Sequence, residues 1–165
     1  MIAATDIRAG LSDPKEVERI RTELMRLLSH QRTLYRRLRL LADRQSALVL
    51  GDENGLLLEL LAERQRLIDG LTGLNTKLSP YRAFWTDVYN VLDVETRRQI
   101  AEILEEANAT LGAILKHDGQ DCGRLSAKRE ETAARMAEVE TGSRVCAAYS
   151  SVAVASGGSV TDTKG

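Results

Sequence analysis

One apolar seam near the start of the chain most constrains its fold. Apolar or amide side chains recur there at alternating steps of three and four residues, at Val17, Ile20, Leu24, Leu27, Gln31, Leu34, Leu38, Leu41, Gln45 and Leu48. This alternation keeps one face of an α-helix against a partner helix along its whole length. The two glutamines in the seam cost stability, but they can fix the register of pairing. The pattern predicts a helix from about Pro14 to about Leu48, opened by Ser12 and Asp13.

Two further long helices and one short helical segment follow. The glycines of residues 51–55 predict a turn and an antiparallel return along a second helix, over about residues 56–78. Ser79-Pro80 is expected to end that helix and to start a short amphipathic segment. Asp93 can then cap a third long helix, which residues 117–123 are expected to kink or interrupt because they contain two glycines. The short segment carries four of the six aromatic residues: Tyr81, Phe84, Trp85 and Tyr89.

These segments predict an all-α protein. We expect an antiparallel helical bundle or coiled coil of three long helices, with a short aromatic-bearing helix and a flexible C-terminal tail. Residues 1–12 lack periodicity and predict a flexible leader, residues 13–141 the helical bundle domain, and residues 142–165 the flexible tail. The tail is rich in small residues and nearly uncharged. It therefore buries too little apolar surface to offset the entropy of ordering.

The charges are distributed unevenly along a chain whose net charge is only −1. Residues 14–48 carry nine basic and four acidic groups, net +5, and residues 93–140 carry seven basic and eleven acidic groups, net −4. Opposite signs suit the first and third long helices lying side by side. Because exposed ion pairs are individually weak, however, we favour the interpretation that these charges form solvated outer faces of a bundle. A run of arginines lies on both sides of the first seam, where the solvent-facing positions of a paired helix are found. We therefore interpret the run as a solvated face and expect no nucleic-acid partner. The run comprises Arg32, Arg36, Arg37, Arg39 and Arg44.

The residues that could carry chemistry are few. His117, Asp118, Asp121 and Cys122 resemble half of a metal site, but the second half is missing, and we interpret the cluster as a solvated bend. The sequence contains no phosphate-binding glycine loop and no nucleophile elbow. We therefore expect no enzyme activity, no catalytic residues, no metal and no cofactor.

The cellular setting is also constrained by composition. Two cysteines cannot form a disulfide framework, which favours a reducing, cytoplasmic location. No apolar run is long enough for a signal peptide or a membrane span, so we expect no membrane insertion. The aromatic segment is expected to close the core, with a partner groove as the alternative. With enzyme, metal and membrane roles set aside, the feature left to explain is helical surface that can pair with an amphipathic helix of another protein.

In the order of its elements the chain resembles the FlgN-type flagellar type III export chaperones. The likeness covers about residues 15–165 and rests on the seam through Leu34, Leu38 and Leu41, the Gly51-Asp52 break, and the run Leu56-Leu57-Leu58-Glu59-Leu60-Leu61-Ala62-Glu63-Arg64 with Leu67, Ile68 and Leu71. A long third helix and a polar tail follow. The tail contains Tyr149 and ends in Asp162-Thr163-Lys164-Gly165, as in that family.

The resemblance implies a cytoplasmic chaperone for hook-associated proteins, which form the hook–filament junction. Such a chaperone masks the helical termini of its cargo and delivers the cargo to the flagellar export gate and its ATPase components. We predict that an apolar stripe entering the tail binds the partner, through Leu125, Met136, Val139, Val145 and Tyr149. The alternatives are a self-associating structural coiled coil and, less favoured, a nucleic-acid-binding helical protein.

Overall fold

The chain folds into α-helices throughout the part that the structure, a computed structural model, describes. The described backbone covers residues 4–51 and 53–156, and the described side chains cover residues 6–51 and 53–148. This part contains no strand, and the all-α prediction is confirmed. The helices are α1 (Ala4–Gly10), α2 (Pro14–Leu50), α3 (Asn54–Ala83), α4 (Trp85–Val91) and α5 (Val94–Ser156). The chain divides into two compact units, residues 1–121 (unit 1) and 122–165 (unit 2).

Helix α2 begins where the sequence predicts. Asp13 is the N-cap residue, and its Oδ1 accepts a hydrogen bond from the Lys15 backbone N–H at 3.0 Å. Pro14 occupies the first turn, where its missing N–H costs nothing. Eight of the ten seam positions are buried, and only Val17 and Leu48 at the two ends are half-buried. The predicted seam is therefore the face that α2 turns to the core of unit 1.

Helix α3 returns antiparallel to α2, as the glycine-flanked turn predicts. The Gln31 side chain, early in α2, donates to Asn75 Oδ1 late in α3 at 3.0 Å. Gln45, late in α2, accepts from Arg64 in the first half of α3. The helices approach closely at Gly70, where an added Cβ would lie 3.3 Å from a methyl group of Leu34. Both seam glutamines thus bond across helices and specify one register.

The predicted break at Ser79-Pro80 does not occur. Helix α3 continues through Pro80 to Ala83. Leu78 and Tyr81 on either side of the proline are both 2% exposed, so packing against the core holds this turn helical despite the lost backbone hydrogen bond. The aromatic segment then continues as the separate short helix α4, with Val88 fully buried.

The first residues also differ from the expectation of a loose leader. Residues 4–10 form α1, and Ile7 in this helix is fully buried in the core of unit 1. The Arg8 guanidinium lies 5.8 Å from the centre of the Phe84 ring, a cation–π contact. Ile7 and Leu11, four residues apart, span only about one helical turn, which is too short for a periodic signal, so the sequence pattern did not reveal this helix.

Helix α5 starts at the predicted cap. Asp93 Oδ1 accepts from the Thr96 backbone N–H at 2.8 Å, and Oδ2 accepts from the Thr96 hydroxyl at 2.6 Å. The backbone is helical through residues 117–123, where we expected a kink or loop, and through residues 142–156, where we expected a tail. Glycines lower helix propensity but keep their N–H groups, so they weaken a helix without ending it. Residues 157–165 lie outside the described residues.

Within unit 1, α5 runs in the same direction as α2. Glu106 accepts a hydrogen bond from Arg36 Nε at 2.5 Å and lies 3.9 Å from Arg32. Further along both helices, Gln45 bonds to Asp121. Arg32 and Arg36 of α2 therefore share one acidic partner on α5, and opposite charges meet between these two helices at this point.

Candidate functional site

The predicted partner-binding residues lie in unit 2, which consists of the C-terminal part of α5. Every described side chain in this unit, residues 122–148, is exposed. Met136 is 69% exposed and Val139 is 73% exposed, and Leu125 and Val145 are exposed as well. Tyr149 lies within α5, but its side chain is outside the described residues. Four of the five predicted residues thus belong to an uncovered helix.

The five predicted residues do not form one surface. Leu125 and Met136 are eleven residues apart, close to three full helical turns, and Val139 lies one turn further on the same side. We name these three residues the α5 stripe. Val145 follows Met136 by nine residues, about two and a half turns, which places it on the opposite side of the helix. Tyr149 follows Val145 by one turn. The sequence prediction therefore combined two faces.

Ion pairs between successive helical turns lie along the described part of unit 2. Arg135 contacts Glu131 at 2.5 Å, and Arg144 contacts Glu140 at 2.7 Å, both at the i,i+4 spacing that stabilises helices. Such exposed pairs contribute only about 0.3–0.5 kcal/mol each. Gly142 in the same stretch costs about 1 kcal/mol relative to Ala. Because most helices in proteins depend on tertiary packing, a partner laid on the α5 stripe would add the stability that this helix lacks.

The most elaborate polar arrangement lies in unit 1 and joins three helices. Asp121 is only 1% exposed, and its carboxylate accepts from Gln45 Nε2 at 3.0 Å and from the Ser46 hydroxyl at 2.9 Å. Arg64 of α3 donates to both carboxylate oxygens of Asp118, each at 2.8 Å. The expectation that this region is a solvated bend is therefore wrong: residues 117–121 are helical, and Asp121 is a buried anchor.

The charges in this polar arrangement stabilise one another. Arg64 donates bidentate hydrogen bonds to Asp118, and these raise the pKa of Arg64 above its usual value, so the guanidinium stays charged. His117 lies between Ser46 and Asp43. Its Nδ1 is 3.3 Å from the Ser46 hydroxyl, and its Nε2 is 3.4 Å from Asp43. Among the described residues, no group of three or more histidine, cysteine, aspartate or glutamate side chains could hold a metal ion. The arrangement acts as a structural clamp between helices.

Sequence reasoning missed this clamp, although a signal for it existed. Asp121 follows the buried Ile114 by seven residues, so it continues the apolar face of the third helix. Gln45 is the polar member of the facing seam. Two polar residues at facing positions of two apolar stripes can hydrogen-bond to each other and both be buried. An aspartate in an apolar stripe is better interpreted as one member of such a pair.

The arginine run of α2 is largely engaged by carboxylates. Glu106 accepts from Arg36, which lowers the pKa of Glu106 below its usual value, and Arg32 is nearby. Arg39 contacts Asp43 at 3.1 Å, and Arg37 lies 3.7 Å from Glu63. These carboxylates partly neutralise the positive charge of the run, which weakens the case for a phosphate-binding surface.

The aromatic segment closes one end of the core, as the sequence predicts. Tyr81 is buried, and Phe84 and Trp85 pack against the core at half-buried positions. The rings of Trp85 and Tyr89 contact each other in a tilted arrangement, with ring centres 5.9 Å apart and 36° between the ring planes. The Tyr81 hydroxyl is buried and has no hydrogen-bond partner among the described residues. Burial, with a contribution from Glu23, raises the pKa of this hydroxyl.

No described helix is both long enough and apolar enough to cross a membrane. Comparisons of the chain with protein-family models, with curated proteins and with solved structures find no match.

Proposed function

We propose that this protein is a chaperone of the FlgN type, which binds hook-associated flagellar subunits before their export. The observation that carries the proposal is the α5 stripe: Leu125, Met136 and Val139 share one side of a helix whose described side chains are all exposed in unit 2. An exposed apolar stripe at helical spacing is the complement that an amphipathic helix requires.

The chemistry of such cargo fits this surface. Hook-associated subunits, as the resemblance implies, carry helix-forming apolar termini that would assemble too early if left uncovered. A helix laid along the α5 stripe would remove apolar surface from water on both partners, at about 25 cal/mol per Å². Binding of this kind needs no catalytic group and no cofactor.

The remaining parts of the proposal concern delivery. A chaperone of this family acts in the cytoplasm and hands its cargo to the export gate and its ATPase components. We assign Tyr149 and Val145, one helical turn apart, to binding of the export gate or to a further contact with the cargo. Val145 lies on the opposite side of α5 from the stripe, so one helix can serve two partners.

Affinity capture from flagellated cells tests the proposal. The full-length chain carrying an affinity tag is expected to retain hook-associated proteins, and the variant Met136→Asp, which places a charge in the α5 stripe, is expected to retain less. Failure of the full-length chain to retain any hook-associated protein, at normal expression and with helical circular dichroism, would contradict the proposal.

Self-association is the second candidate, because the same exposed stripe could pair with an identical chain. Light scattering at micromolar concentration distinguishes the two. A stable dimer that persists when purified cargo is added would favour the structural coiled coil, and a monomer, or a dimer that cargo dissociates, would favour the chaperone.

A further inference from the structure

A groove between α2 and α3 in unit 1 forms a second apolar surface, apart from the α5 stripe. Leu41, Arg44, Ala47 and Leu48 form its α2 wall, and Leu56, Glu59, Leu60 and Glu63 form its α3 wall. Its volume is about 390 Å³, within the range of sites that take ligands or partner side chains. We name it the α2–α3 groove.

The groove has an apolar floor and an open side. Leu41 and Leu60 at its base are buried, Leu48 is half-buried, and Leu56 is 52% exposed. The lining residues recur every three or four positions on both helices. A third helix can seat its own side chains between two such walls, since helices pack ridges into grooves at axis separations of about 8–10 Å. A helix therefore fits this shape better than a compact small molecule.

The rims of the groove carry opposite charges. Arg44 on the α2 rim and Glu59 on the α3 rim are both exposed, and neither forms an ion pair or hydrogen bond with any residue that the structure describes. Glu63, one turn beyond Glu59, faces Arg37 at 3.7 Å. An occupant is stabilised when it places acidic side chains along α2 and basic side chains along α3.

We propose that the α2–α3 groove binds an amphipathic helix of another protein, whose leucine-rich stripe is bordered by basic residues on one side and acidic residues on the other. The two rim charges fix the direction in which that helix lies. Binding of a helix in the α2–α3 groove goes beyond the proposed chaperone function, because capture of cargo on the α5 stripe does not require the groove. The chain would then hold two helical partners at once, one on each surface.

Designed peptides test this with the full-length chain. The probe is a helical peptide of about 18 residues with a leucine stripe, lysines along one border and glutamates along the other. Two control peptides carry lysine on both borders or glutamate on both borders. By fluorescence anisotropy, the mixed-border peptide is expected to bind up to about fivefold more tightly than either control, the range of one exposed ion pair. Equal affinities of the three peptides would overturn the charge assignment.

Two variants of α3 locate the binding surface. Leu56→Asp places a carboxylate inside the groove and is expected to weaken binding of the mixed-border peptide by about tenfold or more. Leu58→Asp is the matched control, because Leu58 is 68% exposed on the same helix and does not line the groove. Both variants change exposed positions, and circular dichroism checks their folding. Equal loss in both variants, or in neither, would overturn the proposal.

A third variant separates this inference from the proposed function. Met136→Asp alters the α5 stripe and is expected to leave the affinity for the mixed-border peptide unchanged. If Met136→Asp abolishes peptide binding, the groove is not the site. If the chain self-associates and Leu56→Asp makes it monomeric, the occupant is a second copy of the chain and the assignment to another protein is wrong.

Discussion

Gln45 of α2 donates a hydrogen bond from Nε2 to Asp121 Oδ2 of α5 at 3.0 Å, joining residues 76 positions apart in the chain. Both side chains are buried, at 7% and 1% exposure. The Ser46 hydroxyl bonds to the same carboxylate, and Arg64 of α3 reaches Gln45 from the other side. This contact pins the register of three helices at the end of unit 1 where the exposed helix of unit 2 begins in sequence.

Replacing Asp121 by Ala is expected to destabilise the protein by about 1–3 kcal/mol, because the buried Gln45 amide would lose its acceptor and the half-buried Ser46 hydroxyl would lose one of its partners. Urea denaturation followed by circular dichroism measures the change. Glu131→Ala is the control, since that exposed site should change stability by less than about 0.5 kcal/mol. If Asp121→Ala matched the control, the clamp would not contribute to stability.

Replacing Tyr81 by Phe is expected to leave the stability unchanged or to raise it by about 1 kcal/mol. The substitution removes a buried hydroxyl that has no partner among the described residues and keeps the buried ring. Thermal and urea denaturation of the two proteins test this. A loss of more than about 1 kcal/mol would mean that the hydroxyl is hydrogen-bonded in solution.

The Asp93 cap predicts a specific pH dependence. Hydrogen bonds from the side chain and backbone N–H of Thr96 lower the pKa of Asp93 below its usual value of 3.8. The cap therefore contributes its full stability above about pH 4, and this contribution is lost as the pH falls through the lowered pKa. Asp93→Asn keeps a capping side chain without the charge. Melting temperatures between pH 2.5 and 6 should fall more steeply for the native protein; parallel curves would contradict the assignment.

The packing of the two units predicts different rates of amide exchange. Amides of residues 122–148 should exchange faster than those of α2 at residues 20–49, because described side chains of unit 2 are exposed and much of α2 is buried. Gly142→Ala should slow exchange around that position, since Ala favours the helix by about 1 kcal/mol. Uniform protection across both regions would contradict this account.

Much of unit 1 follows from short-range patterns in the sequence. The Asp13 and Asp93 caps, the seam of α2 and the antiparallel return are all local or periodic signals, and each predicted the observed element. The register contribution of Gln31 and Gln45 was also readable, because a polar residue in an apolar seam requires a partner. The sequence did not reveal that Asp121 is the partner of Gln45, because Asp121 was interpreted as part of a solvated bend.

Two of the errors in unit 1 share a physical cause, which is that tertiary packing overrides local propensity. Pro80 lies inside α3 because Leu78 and Tyr81 are held in the core. Ile7 packs α1 into the core of unit 1, although this segment is too short to give a periodic apolar pattern. In unit 2, the linear list of apolar residues predicted one surface, but helical geometry separates Val145 from the α5 stripe. A single helix without packed neighbours leaves no contact pattern by which its binding face could be chosen from the sequence.

Calorimetric titration of a purified hook-associated subunit into the full-length chain tests the central proposal most directly. Met136→Asp should weaken binding by about tenfold or more, because it places a charge in the α5 stripe. Ala134→Asp, an exposed site nearly opposite Met136 on the same helix, should bind as the native chain does. Native-like affinity for both variants, or no binding by the native chain itself, would contradict the account.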